Sequence, residues 1–178
     1  AAASNGWQLG VDAKAIARAL EGFAGIGRRF NQLANLSLPQ GGQVTVVDDY
    51  GHHPRELAAV FEAARGGWPD RRLVVAFQPH RYSRTRDLFD DFVTSFYDAS
   101  RLITTEIYPA SEKPIEGVSG SNLSEGIKKH GHRDVSHVED KDLIPDKLME
   151  DLKEGDIVLF LGAGDVWRQG PKLLEMIG

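Results

Sequence analysis

The 178-residue chain has no cysteine. That excludes a disulfide scaffold, a thiol nucleophile and any cysteine-ligated metal; it permits a reducing compartment without requiring one. No apolar run approaches the roughly 18 residues that a membrane-spanning helix needs. The opening Ala1-Ala2-Ala3-Ser4-Asn5-Gly6 has neither a basic start nor an apolar stretch, so it does not read as a signal peptide. Basic charge is in deficit: 21 Lys and Arg stand against 26 Asp and Glu, a net charge of −5. The electrostatic footprint of a nucleic-acid binder is therefore missing. Internal repeats and low-complexity tracts are absent too. With 41% hydrophobic and 26% charged residues, the composition is that of an ordinary globular domain, large enough to hide about 70% of its unfolded surface without staples.

Hydrophobic periodicity then divides the chain. Val11, Ala15, Ile16, Ala19 and Leu20 fall at helical spacing, with Asp12 placed to cap. Gly22, Gly25 and Gly27 follow as a linker-like cluster closed by Arg28-Arg29-Phe30. From there strands and helices alternate. Asn31 to Leu38 reads as a weak strand, Pro39 to Gly42 as a turn and Gln43 to Val47 as a β-branched strand. Pro54 suits the first turn of a helix whose face is Leu57, Val60, Phe61 and Ala64. Leu73 to Phe77 is continuously apolar, the mark of a strand covered on both faces. Leu88, Phe89, Phe92, Val93 and Phe96 predict one helix, Leu102 to Thr105 a strand, and residues 106–120 a long loop. Ser121 is placed to cap a helix to Lys129; Val135 to Val138, a helix through Leu143, Leu148 and Leu152, the strand Asp156 to Leu161 and a last helix follow. This alternation predicts an α/β fold: a mainly parallel sheet with helices on both faces.

In such sheets ligands lie beyond the carboxyl ends of the strands. Three polar loops are expected there. Asp48-Asp49-Tyr50-Gly51-His52-His53 offers carboxylates and imidazoles before a helix start; turn and capping duty is the alternative for the two aspartates. Gln78 to Arg86 packs three arginines and a histidine, and Arg81 and Arg84, three apart, would share a helix face. A solvated basic turn pairing with Asp87, Asp90 and Asp91 is the alternative, and it suits Arg86 better than Arg81 or Arg84. Gly162-Ala163-Gly164-Asp165 lacks the third glycine of a dinucleotide fingerprint, because Trp167 occupies that position. Gly164 to Lys172 misses the phosphate-loop spacing, and no other phosphate loop exists in the chain. Those glycines are expected to let backbone approach a ligand or a neighbouring element. His52-His53 and His130-x-His132 are the only close histidine pairs; neither predicts a metal site. A Gly-x-Ser-x-Gly elbow is absent.

Asp48-Asp49-Tyr50-Gly51-His52-His53-Pro54 and Phe77-Gln78-Pro79-His80-Arg81-Tyr82-Ser83-Arg84-Thr85 closely resemble the Mur ligases of bacterial cell-wall synthesis, in the branch that joins L-alanine to UDP-N-acetylmuramate. Gly25-Ile26-Gly27-Arg28-Arg29-Phe30 resembles that family's junction between central and C-terminal domains; Glu106-Ile107-Tyr108-Pro109-Ala110 and Gly162 to Asp165 also fit, in order. The resemblance covers nearly the whole chain. It implies that residues 1–21 are the last helix of a central ATP-binding domain, 22–30 a linker and 31–178 a Rossmann-like, three-layer C-terminal domain. It implies a cytoplasmic ATP-dependent ligase of peptidoglycan biosynthesis, which activates the muramate carboxylate as an acyl phosphate for attack by the alanine amine.

ATP and Mg2+ belong to the full-length enzyme, whose N-terminal and central domains are expected to be missing here. The fragment alone is expected to bind neither and to be inactive. By the same resemblance Arg29, Asp49 and Tyr50 face the ATP ribose and adenine, and His52, His80, Arg81 and Arg84 face the alanine carboxylate and the forming product. No residue of the fragment is assigned as catalytic and none as a metal ligand. Arg81 leads the set, because a carboxylate beside a reacting amine needs a fixed cation. The expected partners are UDP-N-acetylmuramate, L-alanine, ATP and the missing domains, not nucleic acid or membrane. The alternatives are the murein-peptide recycling branch, against which Tyr50-Gly51 argues, and a non-catalytic Rossmann-like ligand-binding module.

Overall fold

The computed structural model describes residues 2–21, 27–39 and 41–178. Gly22, Gly25 and Ile26 of the expected linker, and Gln40 of the expected turn, lie outside the described residues. Two short helices come first, α1 (Ala2–Gln8) and α2 (Ala13–Glu21). The first was not expected. Asp12 caps the second as predicted, its Oδ2 accepting from the backbone N–H of Lys14 at 3.0 Å and of Ala15 at 3.2 Å.

The remainder is a six-stranded sheet in the order β1-β2-β6-β3-β4-β5. Its strands are β1 (Asn31–Ser37), β2 (Gln43–Asp49), β3 (Leu73–Phe77), β4 (Arg101–Thr105), β5 (Val135–Val138) and β6 (Ile157–Leu161). Every pairing is parallel except β1 with β2, the antiparallel edge. The side-chain period of two sorts each strand onto two cores. Leu73, Val75, Phe77, Ile157, Leu159 and Leu161 face one layer, built on α3 (Pro54–Gly67), α5 (Phe89–Phe92) and α6 (Gly120–Lys129). Val74, Ala76, Val158 and Phe160 face the other, built on α7 (Ile144–Met149) and α8 (Gln169–Ile177). This is the predicted three-layer α/β architecture. Among the described residues no helix is long and apolar enough to cross a membrane.

Four local expectations need correction. β2 runs on through Asp48 and Asp49, because its ladder with β6 continues to Phe160 and Leu161; both aspartates are strand residues, not loop residues. The basic loop stops at Arg81, where α4 (Tyr82–Asp87) begins. Its start is stabilised by Glu112, which accepts from the Ser83 N–H at 2.9 Å and the Ser83 hydroxyl at 2.6 Å. The helix expected across Leu88 to Phe96 is reduced to one turn, α5, which starts after the N-cap Leu88 (φ −113°) and stops at Phe92 with Val93 as C-cap, although Phe92, Val93 and Phe96 are buried as predicted. Ser119, not Ser121, caps α6, accepting from the Asn122 N–H at 3.0 Å.

Candidate functional site

The strand order makes β2, β6 and β3 consecutive, so the three polar segments meet at one sheet edge as the sequence predicts. Backbone bonds join them: Gly162 N–H donates to Asp49 O at 3.2 Å, and Gln78 N–H to Leu161 O at 3.0 Å. The Gln78 side chain completes the seam. Its Nε2 donates to Asp165 Oδ1 at 3.0 Å, while its Oε1 accepts from the N–H of Asp165 at 2.9 Å and of Val166 at 3.1 Å. A Cβ on Gly164 would collide with Gln78 Oε1 and the Tyr108 ring. The Gly-x-Gly pair therefore serves close packing between β6 and its neighbours.

The β2 end forms the first half of the site. Asp49 is only 5% exposed, and both its oxygens are engaged by backbone: Phe30 N–H and Gly51 N–H donate to it at 2.6 Å each. Asp48 pairs with Arg28 at 3.3 Å. Burial pushes the Asp48 carboxyl up, opposed by Arg28, and its Oδ1 has no hydrogen-bond partner among the described residues. The half-buried Tyr50 ring lies under two guanidiniums, Arg28 at 4.9 Å and Arg29 at 5.8 Å. Arg29 also reaches Glu56 Oε1 at 3.9 Å.

His53 has an architectural job. It is the N-cap of α3 and forms a capping box with Glu56, whose Oε2 accepts from the N–H of His52 at 3.0 Å and of His53 at 3.1 Å. Burial raises the Glu56 carboxyl, but the His52 and His53 amides with the charges of His52 and Arg29 outweigh it and hold it below its ordinary value. Arg29, Phe30, Asp49, Glu56 and Val60 line a hollow beside this cap.

The β3 end forms the second half. Four rings run in series: Tyr50 to His52 at 5.3 Å, His52 to His80 at 5.2 Å, and His80 stacked on Tyr108 at 5.5 Å. His52 Nδ1 lies 2.9 Å from Tyr50 O; a carbonyl only accepts, so Nδ1 carries the proton and Nε2 is the acceptor in the neutral ring. His80 is the reverse. Arg84 Nη1 donates to its Nδ1 at 3.2 Å and to its backbone O at 3.2 Å, so the neutral ring offers Nε2–H. Burial, His52, Arg84 and Arg81 bring the His80 pKa down to about 4, against Glu112, and the ring is neutral near pH 7.

Arg84 is thus committed to His80, whereas the Arg81 guanidinium makes no hydrogen bond or ion pair among the described residues. Arg81 is held by its backbone instead: its N–H donates to Tyr108 O at 2.8 Å, and its O accepts from Thr85 N–H at 3.1 Å and Thr85 Oγ1 at 2.9 Å. Its φ is +73° and ψ 134°, a region that side chains avoid. Strain of this kind clusters where a side chain must be aimed. The alternative reading of that loop, a solvated basic turn, suits Arg86, which pairs with Asp87 at 2.7 Å.

The fold therefore brings Arg29, Asp49 and Tyr50 together, and beside them His52, His80, Arg81 and Arg84. Arg28, Gln78, Tyr108 and Trp167 also build this edge, yet none was assigned a role from the sequence. Arg28, Gln78 and Tyr108 were at least visible in the strings that carry the resemblance. Among the described residues no group of three His, Asp or Glu is placed to hold a metal ion.

The Mur ligase, glutamate ligase domain family matches residues 28–164. The chain is 52% identical over 170 residues to the UDP-N-acetylmuramate–L-alanine ligase of Geobacter sulfurreducens, covering 96% of this chain and 36% of that protein. It is 55% identical over 166 residues to the enzyme of the same name from Xanthomonas campestris, covering 93% and 35%. The crystal structure of the UDP-N-acetylmuramate–alanine ligase of Thermotoga maritima superposes with a TM-score of 0.77 at 26% identity, covering 97% of this chain and 35% of that one. The chain thus spans about a third of the length of the relatives it matches.

Proposed function

The chain belongs to the Mur ligase, glutamate ligase domain family, and on that premise we propose that it is the C-terminal domain of the ATP-dependent ligase that joins L-alanine to UDP-N-acetylmuramate. One observation carries the assignment. A ring-lined surface under Arg29 adjoins a surface where the Arg81 guanidinium has no hydrogen-bond or ion-pair partner among the described residues, both at the carboxyl ends of β2, β6 and β3. Identity above 50% to enzymes of that name, over nearly the whole chain, supports it.

In this proposal Tyr50 and Arg29 receive the adenosine side of ATP. Asp49 shapes that side indirectly, because its oxygens are spent on the Phe30 and Gly51 amides. Arg81 binds the alanine carboxylate through a charge-assisted fork, and His80 adds its Nε2–H as a second donor. Arg84 fixes the His80 tautomer. His52, with Nε2 as acceptor, sits between the two halves. The muramate carboxylate takes the γ-phosphoryl of ATP with departure of ADP; the alanine nitrogen then attacks the acyl carbon and phosphate leaves. This domain's share is to orient the amine and to exclude water from the acyl phosphate when it closes on the rest of the enzyme. Mg2+ is assigned to that remainder. Residues 1–21 are assigned to the end of the central domain and 22–30 to the linker; a cytoplasmic location follows from the substrates.

The test is phosphate release by the complete ligase. It should require ATP, UDP-N-acetylmuramate and L-alanine together. Release that ignores alanine but follows an added murein tripeptide would move the chain to the recycling branch.

A further inference from the structure

The Arg28 guanidinium makes three hydrogen bonds on the ligand edge, and the function proposed above gives it no role. Its Nε donates to Asp48 Oδ2 at 3.3 Å, its Nη2 to Gly162 O at 2.5 Å and its Nη1 to Gly164 O at 3.4 Å. Its carbon lies 4.9 Å from the Tyr50 ring centre and 5.6 Å from that of Trp167. The backbone adds a further tie, because Arg28 O accepts from the Tyr50 N–H at 2.8 Å. Arg28 has φ +59° and Phe30 φ +45°, so the chain is bent twice in the left-handed region where it joins the sheet.

Pairing with Asp48 alone would occupy one edge of the guanidinium. The other nitrogens instead hold two carbonyls of the turn after β6, and the guanidinium carbon lies over two rings. Gln78 holds the same turn from the β3 side through the amides of Asp165 and Val166. The turn is thus gripped from both flanks, and the Arg28 grip also sets the place of Tyr50.

We propose that Arg28 is a positioning residue for the nucleotide half of the site: it fixes the Tyr50 ring and the Gly162–Gly164 turn as one platform and ties that platform to the chain segment entering at Gly27. The nucleotide part of this inference rests on the assignment of Tyr50 to ATP; the platform part does not. Reorientation of the entering segment would therefore be felt first at Tyr50 and at the turn.

Two measurements test it. The first is amide exchange in the 178-residue chain, comparing Arg28→Lys with Asp48→Asn. Lysine keeps a cation beside Asp48 but cannot span two carbonyls or stack; asparagine removes the ion pair while leaving an acceptor for Nε. Arg28→Lys should speed exchange at Tyr50 and Gly162 by about tenfold, since Tyr50 loses the guanidinium over its ring and Gly162 loses the guanidinium bond to its carbonyl while the strand ladder remains. Val158 and Phe160 should be unchanged, and Asp48→Asn should not reproduce the effect. The second measurement is steady-state kinetics of the complete ligase, where Arg28→Lys should raise the KM for ATP by about tenfold, with the KM for alanine unchanged. Unchanged exchange at Tyr50 and Gly162 in Arg28→Lys overturns the proposal. So does an Arg28→Lys chain that fails to fold while Asp48→Asn folds, because Arg28 would then be a general support of the domain. Tyr50→Ala separates the two layers. If it leaves the ATP KM intact, the ATP assignment of Tyr50 fails and the exchange result still decides the platform. If it raises that KM and Arg28→Lys does not, only this inference fails.

Discussion

Replacing Arg81 with glycine should stabilise the domain and cripple the ligase at once. The backbone of Arg81 is anchored at both ends by bonds that survive any side-chain change: N–H to Tyr108 O, and O from Thr85 N–H and Oγ1. Its φ of +73° with ψ of 134° is comfortable only for glycine. A side chain held in such a region costs about 1–3 kcal/mol, and no hydrogen bond or ion pair of the guanidinium among the described residues offsets it. Arg81→Gly should therefore gain about 1 kcal/mol, which raises Tm by about 2–4 °C for a domain of this size; Arg81→Ala keeps most of the strain and should leave Tm nearly unchanged. The catalytic consequence has the opposite sign. Truncating one partner of a desolvated charge pair costs about 2–5 kcal/mol, and each 1.4 kcal/mol is about tenfold. Either variant of the complete ligase should thus lose at least about tenfold to a hundredfold in kcat/KM for alanine, while the KM for ATP changes little. Arg81→Lys should recover only part of the loss, because an ammonium lacks the planar fork. The assay pairs differential scanning calorimetry with alanine-dependent phosphate release on the same proteins. A glycine variant that melts earlier and retains normal alanine kinetics would refute both the strain and the carboxylate clamp.

Four further outcomes are expected. Arg72→Ala should destabilise the domain by about 3 kcal/mol or more, because it strands the buried Asp156 carboxylate that Arg72 grips at 2.9 Å on both oxygens; a chemical denaturation midpoint unchanged from wild type would contradict this. The His80 pKa of about 4 lies below its ordinary 6.5, so the unfolded chain binds more protons between those values, and stability present above pH 6.5 should fall as pH drops towards 4. His80→Gln should flatten that slope in pH-dependent melting, and an identical slope in both proteins would exclude His80 as its source. The 178-residue chain alone should release no phosphate from ATP when given UDP-N-acetylmuramate and alanine, since it contains no phosphate loop; turnover by the purified chain would defeat that expectation. Amides of α2, which buries no residue among those described, should exchange faster than those of β6, whose residues are all buried; equal protection would show that α2 packs as part of the same cooperative unit.

Much of the fold was legible because its signals are local. The apolar runs at Leu73 to Phe77 and Ile157 to Leu161 can be satisfied only by strands covered on both faces, and Pro54 after two histidines marks a helix start from the φ restriction of one ring. The three loops likewise announced a shared edge through the alternation of elements alone. What each side chain does there was not legible. Asp48 and Asp49 look like loop carboxylates in sequence, but strand pairing with β6 carries them into the sheet, where Arg28 and two backbone amides claim them. Arg81 and Arg84 look equivalent three residues apart, and they differ because the bond from Arg81 N–H to Tyr108 O turns one residue out of the helix while Arg84 folds back on His80. Arg28 was invisible as a hub, since its partners Gly162 and Gly164 lie more than 130 residues further along the chain. Periodicity and turn chemistry report what a residue does to its neighbours in sequence; hydrogen bonds between distant segments depend on strand order, and strand order is decided only when the whole sheet closes its two cores.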